Sequence, residues 1–299
     1  MTEHTPTGKA LWIAGARPRT LPAAVVPVAV GAAAAVGHEA GAVWWRGVVA
    51  LVVSLALQVG VNYANDYSDG VRGTDDERRV GPLRLVGSGL VEAAAVRRAA
   101  TIAFGVAGVA GAVLALVVGP ELFVVGAACL LAGWTYTGGP KPYGYLGLGE
   151  VFVFVFFGLV ATVGTTYVLV EEITGLSVLA SVAVGLWATA LLVVNNLRDI
   201  PGDTEAGKNT LAVRIGAPAT RVVFVVMHLA ALGVAIAASI VHDRWAGLIV
   251  VFGLAFMIQA CVDVAKGATG PALIKVLGLT GQVQLISGLG FAIGLALSG

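Results

Sequence analysis

The chain has 299 residues, 58% of them hydrophobic and only 12% charged, with a formal net charge of +1. A mean hydropathy of +0.91 excludes an ordinary soluble domain and marks an integral membrane protein. The near-neutral charge balance gives no basis for a nucleic-acid partner or for a strongly acidic or basic soluble one.

Crossing a hydrocarbon core about 30 Å thick takes about 20 apolar residues in a helix, because lipid offers the backbone no hydrogen-bond partners. In chain order that yardstick predicts spans near 21–36, 43–64, 93–118, 122–136, 151–170, 177–195, 222–241, 247–264 and 277–297, the first and fourth being short. Runs such as LVVSLALQVGV do not alternate apolar and polar residues, as barrel strands do. The predicted fold is therefore an all-α membrane bundle of nine transmembrane helices forming one domain over 1–299, with 1–16 as a flexible cytoplasmic N-terminus. The opening MTEHTPTGKALWIAGARPRTLP lacks a small-residue cleavage site after a short apolar core, so no cleaved signal peptide is expected.

Basic residues fix the predicted orientation. With the N-terminus inside, all of the 18 Lys and Arg residues except Arg46 and Arg244 fall on the cytoplasmic side, and an odd number of spans leaves the C-terminus outside. Cys129 and Cys261 lie inside separate spans without metal-ligand spacing and read as small core residues. His228, also inside a span and without an acidic partner nearby in sequence, reads as structural or lipid-facing.

The polar residues gather in three cytoplasmic segments, 65–92, 135–150 and 196–221. The second span ends in a stripe of Asn62, Asn65, Asp66 and Asp69, which share a helical face. Gly70 and Gly73 are expected to end that helix. The sixth span ends in NNLRDIPGD, where Asn195 and Asp199 share a face, and Pro201 and Gly202 are expected to stop the helix before Asp203.

Carboxylates at a helix C-terminus oppose the macrodipole by up to about 1 kcal/mol, and charges at a membrane edge mark function. A cation must compensate. Side chains that supply only oxygen, without a Cys or His cluster, suit magnesium rather than zinc or copper, and magnesium is readily shared with phosphate oxygens. Two such clusters facing each other would hold a metal-bound diphosphate. Asp75, Asp76 and Glu77 read instead as solvated surface, and Arg97 and Arg98 as orientation signals. For Arg198 and Lys208, phosphate contact and orientation signal are equally supported.

The motifs NDYSD and NNLRDIPGD resemble the two Asp-rich motifs of the UbiA superfamily of intramembrane aromatic prenyltransferases. ARPRTLPAAVVPVAVG, RVGPLRLVGSGLV, YTGGPKPYGYLGLGEVFVFVFFG and NNLRDIPGDTEAGKNTLAVRIG are similar to its menaquinone-pathway branch, which prenylates 1,4-dihydroxy-2-naphthoate. The resemblance implies a bundle around a central cavity with a cytoplasmic cap, in the bacterial cytoplasmic membrane. It also implies that Asn62, Asp66, Asp69, Asn195, Asp199 and Asp203 hold two magnesium ions bridging polyprenyl diphosphate, with the four aspartates as the catalytic set.

Arg198, Lys208, Lys141 and Arg72 are the candidate diphosphate contacts. Tyr136, Tyr143 and Tyr145 either line the acceptor pocket and shield an allylic cation or belong to the interfacial aromatic belt. Arg79 or Arg84 either meets the naphthoate carboxylate or contacts anionic membrane lipid. The alternatives are a relative acting on 4-hydroxybenzoate and, from another class, a secondary transporter, whose polar site would sit nearer the bilayer midplane.

Overall fold

The computed structural model describes residues 7–73 and 83–299, so Asp75, Asp76, Glu77 and Arg79 lie outside the described residues. Among the described residues there is no strand. The long helices are α3 (Trp44–Arg72), α4 (Ala93–Val117), α6 (Gly149–Val170), α7 (Gly175–Glu205), α8 (Leu211–Val241), α9 (Trp245–Ala265) and α10 (Pro271–Leu297), seven helices long and apolar enough to cross a membrane. The first and fourth expected spans fall on α2 (Pro22–Ala34) and α5 (Glu121–Thr135), apolar helices of 13 and 15 residues. At 1.5 Å per residue, each is about 20 Å long, short of a full hydrocarbon core.

The outer faces explain why so much apolar surface remains uncovered. Ile102, Val109 and Leu116 of α4, Val124 and Leu131 of α5, and Val222, Val226 and Leu229 of α8 are all exposed, as lipid-facing side chains must be. The interior is built around α7, whose Ala180, Ala183, Val184 and Trp187 pack against Val26 of α2, Ala231 and Ala235 of α8, and Phe291 of α10. Helices α6 and α7 cross where Gly158 meets Gly185, and a Cβ on Gly158 would lie 2.5 Å from the Gly185 Cα. Only glycine permits this approach, and small residues at crossings are the usual means of close packing in lipid. The same stretch of α6, Phe154–Val160, is wound as a π-helix, a form that recurs beside functional sites.

Two local expectations change. Residues 9–16 form α1 (Lys9–Ala16), where the Tyr63 hydroxyl of α3 donates to the Trp12 carbonyl at 2.8 Å. Helix α3 continues through Gly70 and ends at Gly73, whose φ of 68° is the left-handed C-cap conformation. Gly70 serves close approach instead, since a Cβ there would meet Val86 Cγ1 at 2.5 Å. Helix α7 runs past Pro201 to Glu205. Proline removes one i to i−4 donor but does not stop the terminal turn, where Ala206 N–H still bonds the Gly202 carbonyl at 2.9 Å. Asp203 therefore stands at i+8 from Asn195 on the same helical face.

Candidate active site

The stripe at the end of α3 divides into two edges. Asn62 and Asp66 face the N-terminal segment and the 83–89 loop. The Asn62 amide donates to the Ala16 carbonyl at 2.8 Å and to Thr20 Oγ1 at 3.0 Å. Asp66 is wholly buried and takes the N–H groups of Leu85 and Val86 at 2.8 and 3.0 Å. Asn65 and Asp69 form the other edge. Thr137 Oγ1 donates to Asn65 Oδ1 at 2.7 Å, and the Tyr145 hydroxyl donates to Asp69 Oδ1 at 2.5 Å. Lys208 Nζ lies 3.4 Å from Asp69, and Arg84 Nη2 lies 3.7 Å from it.

These contacts assemble three distant segments over one carboxylate. Arg72 fixes the 137–145 loop by donating to the carbonyls of Thr137 and Gly139. Its guanidinium lies 5.3 Å from the Tyr145 ring centroid, and Lys208 Nζ lies 4.7 Å from the same ring, so both cations use the aromatic face. Lys141 is exposed on the loop between α5 and α6.

On α7, Arg198 is folded onto its own motif. It donates in bidentate fashion to Asp199 at 2.7 Å and to Asn195 Oδ1 at 2.8 Å. The side chain is 1% exposed, and the carboxylate and amide satisfy Nε and Nη2 while Nη1 is buried without a hydrogen-bond partner among the described residues. Asn196, one residue further round the helix, donates to Glu150 Oε1 at 2.9 Å.

Below the polar cluster lies an apolar cavity of about 360 Å³ among α2, α3, α4, α5 and α6, walled by Leu57, Phe156, Phe157 and Val160 among others. Tyr136 and Tyr143 also line it. Tyr143 stacks on Phe152 with centroids 3.9 Å apart and turns its hydroxyl back to the Ala132 carbonyl at 2.9 Å. Its contribution to the cavity is an aromatic face. The Tyr136 phenol is different, since it reaches the first turn of α6, where a Cβ on Gly149 would lie 3.7 Å from its hydroxyl.

His228 is fully buried and bonds the Phe224 carbonyl through Nδ1 at 3.0 Å, as a structural residue would. Cys261 packs in the interior, while Cys129 lines the cavity. Sequence reasoning saw Asn65 in the stripe without giving it a role, and passed over Thr137, Glu150 and Asn196. Glu150 carried a usable signal: an acid in the first turn of an apolar helix, where the macrodipole favours negative charge.

A polar cluster of acids, amides and cations at one end of a membrane-spanning bundle, opening onto an apolar cavity, defines a site for an amphiphile with a charged head. The model of the UbiA prenyltransferase family matches residues 24–272. The 1,4-dihydroxy-2-naphthoate octaprenyltransferases of Mycobacterium leprae and Mycobacterium tuberculosis are both 47% identical to this chain. The first aligns over 97% of each chain, the second over 96% of this chain and 97% of its own. A solved UbiA homolog from Archaeoglobus fulgidus, bound to GPP and Mg2+, superposes with a TM-score of 0.66 at 12% identity, covering 94% of this chain and 99% of that one. The chain belongs to the UbiA prenyltransferase family.

Proposed function

We propose that this protein transfers a polyprenyl group from polyprenyl diphosphate to 1,4-dihydroxy-2-naphthoate, releasing diphosphate and carbon dioxide and giving demethylmenaquinol. The observation that carries the reading is the position of Tyr136, which lines the apolar cavity while its hydroxyl reaches the first turn of α6, where Glu150 accepts from Asn196 beside the second motif. One ligand can therefore place an apolar tail in the cavity and a charged head among the acids and cations. The mycobacterial relatives, named for this acceptor, support the choice of naphthoate over 4-hydroxybenzoate.

The donor set fits magnesium. Asn65, Asp69, Asn195, Asp199 and Asp203 would supply oxygen only, from amides as well as carboxylates, and among the described residues no group of three or more His, Cys, Asp and Glu side chains stands together as a metal site by itself. Two ions are proposed, one at each motif, with Asn62 and Asp66 supporting the first motif by anchoring the segments around it. When bound, magnesium neutralises the diphosphate oxygens and stabilises the charge that develops on the leaving group.

The chain's own groups do the rest. Lys208, Arg84 and Arg198 bind and orient the diphosphate, and Arg72 holds the loop that carries Tyr145. Positioned charges of this kind act mainly in the transition state. Tyr136, Tyr143 and the aromatic wall of α6 exclude water from the allylic cation and face it with π electrons. Release of the prenyl group then allows attack by the ring carbon that bears the carboxylate.

The sixteen basic residues expected inside support a cytoplasmic placement of this end of the bundle, with the C-terminus on the other side. The test is prenyl transfer by purified protein in detergent, with naphthoate, polyprenyl diphosphate and magnesium. Prenylated naphthalene and carbon dioxide appearing together, and only with metal, is the expected result. Diphosphate release without prenylated naphthalene would reject the acceptor, and turnover of 4-hydroxybenzoate alone would replace it.

A further inference from the structure

Glu150 lies outside both Asp motifs, yet it is buried at the edge of the site with 6% of its surface exposed. Asn196 satisfies Oε1, whereas Oε2 is buried and has no hydrogen-bond partner among the described residues. A buried carboxylate oxygen left unpaired is costly. If the only task were to tie α6 to α7 through Asn196, a glutamine would serve without that cost.

The open oxygen has a neighbour suited to it. Tyr136 crosses the first turn of α6 so closely that a Cβ on Gly149, the residue before Glu150, would lie 3.7 Å from the Tyr136 hydroxyl. The Gly144 N–H holds the Tyr136 carbonyl at 3.0 Å, fixing the base of the side chain. Tyr136 also lines the cavity. Its hydroxyl therefore reaches the turn of α6 that carries Glu150, from a side chain that also borders the space proposed for the acceptor.

We propose that Tyr136 and Glu150 form the proton-handling pair for the aromatic acceptor, with Tyr136 as the group that touches it. This inference rests on the naphthoate reading. The ring hydroxyl next to the attacked carbon passes its proton to the Tyr136 oxygen as the Tyr136 proton moves to Glu150 Oε2. With the C1–oxygen bond already broken and its electron pair carried off by diphosphate, the freed pair on the ring bonds the ring carbon to the allylic cation at prenyl C1. The ring carbon–carboxylate bond then breaks, carbon dioxide leaves, and its electron pair restores the aromatic ring. The proton returns along the same path to the ring oxygen. No net proton is consumed, and no oxidant or reductant is needed.

The pair acts on the acceptor and not on the donor, so its loss uncouples the two half-reactions. In Glu150→Gln, diphosphate release from the allylic donor should persist, with water capturing the prenyl group, while prenylated naphthalene falls about 100-fold, the lower range of general acid–base contributions. A naphthoate made more acidic at the ring hydroxyl by an electron-withdrawing substituent should recover prenylation in Glu150→Gln. Tyr136→Phe, which keeps the ring and loses only the hydroxyl, should lose prenylated naphthalene to a similar extent and recover it with the acidic acceptor, and it decides the matter if Glu150→Gln does not fold.

Equal loss of diphosphate release and prenylation, unchanged prenylation, or no recovery with the acidic acceptor would overturn the pair. Wild-type protein that releases diphosphate but never prenylates naphthoate would instead overturn the reading on which the pair rests.

Discussion

The Asp66 carboxylate is bonded at 2.8 Å to the backbone N–H of Leu85, nineteen residues further on. With the Val86 N–H at 3.0 Å, this makes an acidic motif residue the anchor of a loop. The 83–89 segment then sits on Gly70 through Val86 and on Gly15 through Leu85, and brings Arg84 to 3.7 Å from Asp69. Two aspartates three positions apart thus have separate tasks.

Replacing Asp66 with Ala should leave the buried Leu85 N–H unpaired, at about 1–3 kcal/mol, and the part-buried Val86 N–H with it at a smaller cost. We expect a lowered unfolding temperature and faster amide exchange at Leu85 and Val86. Asp66→Asn, which keeps one acceptor oxygen, should lose less. Unchanged exchange in Asp66→Ala would refute the anchoring role.

Asp69→Ala should do the reverse. Its carboxylate gathers cations and the Tyr145 hydroxyl, so its removal should cut magnesium-dependent diphosphate release by about 100-fold or more, the range for lost electrostatic stabilisation. Folding should survive. Thermal unfolding with and without magnesium checks both points, because the variant should also lose the stabilisation that bound metal gives the wild type.

Tyr145 carries two separable contributions. Tyr145→Phe removes the bond to Asp69 but keeps the ring beneath Arg72 and Lys208. Hydrogen bonds to charged groups are worth about 1.5–3 kcal/mol, so the donor KM should rise about 10-fold or more. Tyr145→Ala, losing the ring as well, should raise it further. Equal KM values for the two variants would remove the ring from the account.

Gly158→Val should separate α6 from α7, since even a Cβ would lie 2.5 Å from Gly185. Overpacking of this kind costs about 1–3 kcal/mol. The unfolding temperature in detergent should fall, and prenyl transfer should fall with it, because Phe156, Phe157 and Val160 on the same stretch line the cavity. A variant as stable as the wild type would show that the crossing can open freely.

The sequence by itself determined the helical bundle and the positions of its seven long apolar helices, because these follow from apolar run length along one chain. It also determined that Asn195 and Asp199 share a face, through the four-residue spacing of a helix. It misplaced the end of α7, because Pro201 removes a single donor while the turn after it stays closed by the Ala206 N–H on the Gly202 carbonyl.

Only the tertiary structure decided which edge of the Asn62–Asp69 stripe meets a loop and which meets the cations. Asp66 and Asp69 lie on one face by periodicity, and the difference between them is made by Leu85, Tyr145 and Lys208, which chain folding brings from elsewhere. Glu150 was hidden for the same reason. A single acid has no spacing to read, and its partners Asn196 and Tyr136 arrive through the packing of α5, α6 and α7. Helical periodicity is local and legible along the chain, whereas hydrogen-bond partnership between distant segments depends on how the helices pack in space.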